Sequence, residues 1–137
     1  MIKAVLDVNV ILSGLIRPEG PPGQLLSRWD RGEFELVTSP TLIDELRRVL
    51  TYPRIRKKID QDKARNLLEL LELLGHKVVD PETRSPVQCD DPDDDYLIAI
   101  ALKDQAVLVS GDRHLTALRA TIPVFSPAEF LDYLAAA

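Results

Sequence analysis

The chain has 137 residues, 45% of them hydrophobic and 28% charged, the mix of a single globular domain rather than of a disordered or membrane-spanning chain. At this length a fold buries about two-thirds of the surface its unfolded chain exposes, so a core forms without disulfide or structural metal, and Cys89 has no second cysteine to pair with. A formal charge of −5, from 22 acids against 17 bases, argues against holding nucleic acid by overall positive charge. It leaves open a nucleic acid substrate met beside a bound cation.

Taken in chain order, short apolar runs at residues 2–6, 34–37, 77–79, 107–109 and 122–125 read as buried parallel strands. Helical spacing falls between and after them, over residues 23–31, 40–50, 61–74, 92–104, 113–120 and 127–135, and this alternation predicts an α/β fold around a central, mostly parallel sheet. The Pro- and Gly-rich stretch at 17–23 and the segment 80–91 read as loops inside one domain spanning 1–137. No apolar run approaches the roughly 18 residues of a membrane helix and no basic-then-apolar leader opens the chain, so the expectation is a cytoplasmic protein with no membrane partner.

In an open parallel sheet, ligands bind at the carboxyl ends of the strands, and four acids fall where such ends should lie. Asp7 closes the first strand, and Asn9 would share its side if the extended backbone continues; the competing reading has Asp7 capping a following helix. On the helix opened by Ser39 and Pro40, the residues Leu42, Ile43, Leu46, Val49 and Leu50 share one arc. That arc puts Asp44 on the far side and Glu45 at its rim, where it serves either a site or a surface ion pair.

The run from Asp90 to Asp95, broken only by Pro92, leads into Tyr96-Leu97-Ile98-Ala99-Ile100-Ala101-Leu102, a helix apolar nearly all round and therefore central. Acids suit a first helical turn, but this many adjacent ones repel and call for something positive. Asp91 and Asp94 share a face, with Asp95 turned about 100° from Asp94. The strand at 107–109 runs into Ser110-Gly111-Asp112, where Asp112 is either a helix cap or a fourth site acid.

Oxygen ligands without a His or Cys cluster suit Mg²⁺ or Mn²⁺ rather than zinc, and carboxylates around such an ion support in-line phosphoryl displacement. The densest basic segment, residues 47–65, contains Arg47, Arg48 and Arg54 and reads either as a solvated helix surface or as a strip of phosphate contacts. Leu67, Leu68, Leu70, Leu71, Leu73 and Leu74 read as core, with a dimer face as the alternative.

The order Asp7-Val8-Asn9, Glu45, Asp94 before Ile98-Ala99-Ile100-Ala101-Leu102, and Ser110-Gly111-Asp112 resembles the PIN-domain ribonucleases, most closely the VapC-type toxin components of prokaryotic toxin–antitoxin systems. The resemblance spans nearly the whole chain. It implies a three-layer α/β/α fold and endonucleolytic RNA cleavage with Mg²⁺ or Mn²⁺. It also implies metal-site and catalytic acids at Asp7, Glu45, Asp94 and Asp112, supported by Asn9, Asp91, Asp95 and Ser110. A homodimer and an antitoxin protein are the partners it implies. The family often has Thr at the positions of Val8 and Ser110, so here one hydroxyl is lost and one kept as Ser.

Three rival readings stand beside it. A phosphotransfer receiver needs a Lys near its last strand, whereas Lys103 is the final lysine. A haloacid-dehalogenase-like phosphatase wants a second Asp where Asn9 stands. A catalytically degenerate PIN module would only bind a partner protein or RNA.

Overall fold

The computed structural model describes residues 1–81 and 95–136. Its elements follow in the order β1 (Lys3–Leu6), α1 (Val8–Ile16), α2 (Pro21–Asp30), β2 (Glu35–Thr38), α3 (Pro40–Leu50), α4 (Pro53–Arg56), α5 (Gln61–Leu74), β3 (His76–Lys77), α6 (Asp95–Lys103), β4 (Val107–Val109), α7 (Arg113–Thr116), β5 (Val124–Phe125) and α8 (Pro127–Ala136). The five strands form one sheet in the order β3-β2-β1-β4-β5, every pairing parallel.

From β1 the chain steps outward to β2 and β3, then returns across β1 to β4 and β5. Right-handed crossovers run in opposite directions put their helices on opposite faces, so α6 lies across the sheet from the helices that join β1 to β3. The result is the expected three-layer α/β/α sandwich. The reversal occurs between β1 and β4, whose register pairs Leu6 with Val109. A crevice at the carboxyl ends of that pair is the ligand position the topology favours.

The strands form where apolar runs bury both faces: Ala4, Val5, Leu6, Leu36, Val37, Leu108 and Val109 are all in the core. α3 starts as the sequence predicts, the Ser39 hydroxyl accepting from the Leu42 N–H at 3.3 Å with Pro40 in the first turn. It buries Leu42, Leu46 and Leu50. α6 buries Leu97 through Ala101, the central helix that its all-round apolarity implied. α8 opens with a reciprocal capping box: Ser126 N–H donates to Glu129 Oε1 at 2.8 Å and Glu129 N–H to Ser126 Oγ at 3.2 Å. Those bonds, with Arg119 beside it, hold the Glu129 carboxyl below its ordinary range.

Two helices escaped the sequence pattern. The segment VNVILSGLI carries only two polar residues, Asn9 and Ser13, on its exposed face, too few to announce a helical period, yet it forms α1 and buries Val8, Val10, Ile11 and Leu12. The four-residue α4 is too short to show a period. The Pro-rich stretch is only partly loop, because Pro21 and Pro22 sit in the first turn of α2, where a missing N–H costs nothing. Gly23 follows them, and a Cβ there would stand 2.2 Å from the Pro18 carbonyl oxygen, so only glycine admits this close return of the loop.

Boundaries also moved. The helix expected over 113–120 stops at Thr116 and the chain turns to Pro123; β5 spans two residues and β3 two, although the Val78 N–H still donates to Thr38 O at 2.9 Å. The leucine run of α5 divides. Leu67 and Leu71 are in the core, whereas Leu73 and Leu74 are 80% and 61% exposed. The helix expected over 92–104 is described from Asp95 onward, and Asp91, Asp94 and most of the 80–91 segment lie outside the described residues.

At the end of α6 the Ala106 N–H donates to Ala101 O at 2.8 Å, with Gln105 at φ 54°. This is a Schellman cap in which glutamine holds the left-handed position usually given to glycine. Gln105→Gly should therefore raise stability by about 1 kcal/mol, read as a higher midpoint in thermal or urea unfolding.

Candidate active site

Asp7 continues the β1 ladder, donating its N–H to Val109 O at 3.0 Å before the backbone turns into α1. Ser110 does the same after β4, donating its N–H to Phe125 O at 2.9 Å. Because Leu6 and Val109 are paired, the next residues on each strand meet: the Ser110 hydroxyl donates to Asp7 Oδ2 at 2.8 Å. Ser110 Oγ in turn accepts from the Asp112 N–H at 3.0 Å. The other Asp7 oxygen, Oδ1, accepts from the Asn9 N–H at 3.0 Å.

Asp7 takes the capping position of α1 and also lies at the carboxyl end of β1, a carboxylate at the switch point of the sheet, only 6% exposed. Asn9 is corrected. The chain is helical from Val8, so Asn9 does not continue an extended strand; it supports Asp7 through its backbone N–H, because Asp7 is an N-cap whose oxygen reaches a donor two residues on.

Asp112 caps α7, accepting from the His114 N–H at 2.9 Å. Glu45 is half-buried on α3 while Asp44 is exposed, as the helical arc predicts. The Glu45 carboxylate accepts a hydrogen bond from the Tyr96 hydroxyl on α6. Asp95 is 3% exposed at the start of the described part of α6. Asp7, Asn9, Ser13 and Asp112 line a cleft of about 340 Å³. Glu45 opens instead on a groove of about 470 Å³ shared with Thr41, Asp44, Arg48 and Tyr96.

Burial raises the Asp7 carboxyl above its ordinary range; the bonds from Asn9 and Ser110 oppose this, and the charges of Asp112 and Glu45 add to it. Among the described residues no Lys or Arg ion-pairs with Asp7, Glu45 or Asp112. The donors are all oxygens and no ion pair among the described residues relieves their mutual repulsion, so in kind they fit a hard divalent cation. Each Asp7 oxygen keeps a second lone pair beyond the bond it accepts. Among the described residues no three His, Cys, Asp or Glu side chains are close enough to enclose an ion by themselves.

Of the basic candidates, Arg48 borders the Glu45 groove. Arg47 turns toward α5, where its guanidinium pairs with Glu72, and Arg54 is exposed on α4. Tyr96 was missed by reading its helix only for apolarity. The available signal was that it is the one phenol in that apolar helix, directly beside the acidic run.

A PIN domain model matches residues 3–114, a span that contains every candidate acid from Asp7 to Asp112. The chain belongs to the PIN domain family. It is 32% identical over 120 residues to the uncharacterized protein MJ1680 of Methanocaldococcus jannaschii, covering 86% of this chain and 76% of the relative. Its fold is similar to that in the crystal structure of PAE2754 from Pyrobaculum aerophilum, with a TM-score of 0.63 at 18% identity over 99% of this chain and 91% of the other. PIN domains are in general metal-dependent nucleases. No helix among the described residues is long and apolar enough to cross a membrane.

The raised Asp7 carboxyl has a consequence for stability. Between the ordinary carboxylate range and the raised value, the folded state holds a proton the unfolded chain has released. The contribution is thus present at low pH and lost as pH rises through the folded value. With chelator at neutral pH, Asp7→Asn should melt at or above the wild-type temperature, and any gain should vanish in acid, because Asn keeps the cap without the buried charge. Asp7→Ala should instead lose about 2 kcal/mol, from the missing cap and the stranded Ser110 hydroxyl.

Proposed function

We propose that this PIN domain is an Mg²⁺- or Mn²⁺-dependent ribonuclease that hydrolyses RNA phosphodiesters endonucleolytically, and that it is the toxin component of a toxin–antitoxin pair. The observation that carries the nuclease reading is Asp7: a buried carboxylate at the topological switch point, fixed by Ser110, sharing a cleft with Asp112 and near enough to Glu45 to feel its charge, with no Lys or Arg ion-paired to any of the three among the described residues. Asp7, Glu45 and Asp112 would hold the cation, with Asp94 joining them on sequence order alone. A bound divalent ion would offset the negative charge of the acids and the phosphate and lower the pKa of attacking water.

The protein's own part is positional. Ser110 and the Asn9 N–H fix the two oxygens of Asp7. The Asp112 N–H polarises the Ser110 hydroxyl that donates to Asp7. Arg48, bordering the groove beside Glu45, is placed to meet a phosphate without carrying sequence information. A phosphatase of the haloacid-dehalogenase type needs its first Asp as an open nucleophile, whereas here burial and two hydrogen bonds hold Asp7. The antitoxin partner and homodimer rest on resemblance to VapC-type toxins, with exposed Leu73 and Leu74 available to a second copy.

Purified protein should cut a mixed single-stranded and structured RNA set with Mg²⁺ or Mn²⁺ and not with chelator. Asp7→Asn and Asp94→Asn should each reduce the rate by more than about 100-fold, beyond the loss typical of an outer partner of a metal ligand. Cutting that survives chelation, or that neither substitution weakens, would overturn the assignment. Wild-type protein that binds metal but cuts nothing would point to the degenerate module. Growth arrest on expression, absent for Asp7→Asn, tests the toxin role.

A further inference from the structure

We infer that Tyr96 is a positioning residue for Glu45, setting the carboxylate that α3 offers to the site; this rests on the nuclease reading above. The Tyr96 hydroxyl donates to Glu45 Oε2, and the two residues are 51 positions apart on helices from opposite layers of the sandwich. The bond therefore ties the two helical layers together at the groove that Glu45 and Tyr96 line.

Glutamate has one more rotatable bond than aspartate, and on a half-buried helix rim nothing in its own backbone fixes where its carboxylate lies. Asp7 and Asp112 do not share this freedom, because each is pinned by the backbone N–H two residues on. Glu45 lies in the second turn of α3, where backbone N–H groups are already used within the helix. It needs a donor from elsewhere, and Tyr96 supplies one.

Both ends of the tie are firmly based. Tyr96 precedes the buried run Leu97 to Ala101, and Glu45 adjoins buried Leu46. The chemistry of the donor also matters. Arg48 lines the same groove but is not paired with Glu45. A phenol is neutral, so it orients the carboxylate while leaving its negative charge to act on a cation, which an arginine would partly cancel. With Oε2 engaged, Oε1 is the oxygen free of that bond.

The test compares wild type, Tyr96→Phe, Glu45→Gln and the double variant as full chains. Mn²⁺ binding is followed by calorimetry and RNA cleavage by steady-state kinetics, with circular dichroism confirming equal folding. Tyr96→Phe should weaken Mn²⁺ binding and lower kcat by about tenfold each, the loss expected of an outer partner of a metal ligand, with KM for RNA nearly unchanged. In the Glu45→Gln background the same substitution should change neither quantity. Wild-type affinity and kcat in Tyr96→Phe, an equal loss in the Glu45→Gln background, or a change confined to KM would each overturn the inference. A wild-type protein that takes up no Mn²⁺ and cuts no RNA would instead bring down the nuclease reading and this inference with it. Binding and cutting by wild type that Tyr96→Phe matches would remove only the role of Tyr96.

Discussion

The parallel pairing of β1 with β4 is the constraint on which the rest depends. It joins strands about a hundred residues apart in sequence, with Leu6 opposite Val109, and so sets Asp7 and Ser110 side by side where both strands end. Because the chain leaves β1 toward β2 and leaves β4 toward β5, on opposite sides, the two connections part and open a crevice at that point. The cleft lined by Asp7 and Asp112 is a product of topology before it is a product of any side chain.

Around this point the molecule accumulates electrostatic cost. Asp7 is buried, its carboxyl is raised by burial and by two neighbouring acids, and its compensation consists of one backbone N–H and one hydroxyl. Evolution toward stability alone would remove such a charge. Acids such as Glu33, Glu72 and Glu129 are instead exposed and ion-paired, and a buried carboxylate without such a partner fits a site shaped by what it binds. Membership of the PIN domain family supplies the class of chemistry, and the all-oxygen donors supply the preference for a hard cation.

Much of this was legible in the residues. The helical arc of α3 separated Glu45 from Asp44 correctly, because amphipathic period survives whenever one face is buried and the other wet. The strand ends at Asp7 and Ser110 were visible because a parallel strand is apolar along its length. α1 was not visible, since its exposed face offers only Asn9 and Ser13 as polar markers and ends on an apolar Ile16, and with it went the conformation of Asn9. The Schellman cap was hidden because Gln105 stands where glycine would have announced it.

By itself, then, the sequence determined the class of fold, the order of its strands and of the longer amphipathic helices between them, and the acids that follow β1 and β4, because those follow from local apolar period and capping chemistry. Only the tertiary structure decided which of these residues meet. The bond from Ser110 to Asp7, the bond from Tyr96 to Glu45, and the turn of Arg47 toward Glu72 instead of toward the site all join residues far apart in sequence. The physical reason is that such contacts are fixed by strand register and by which face of the sheet each helix covers, neither of which leaves a periodic trace along the chain.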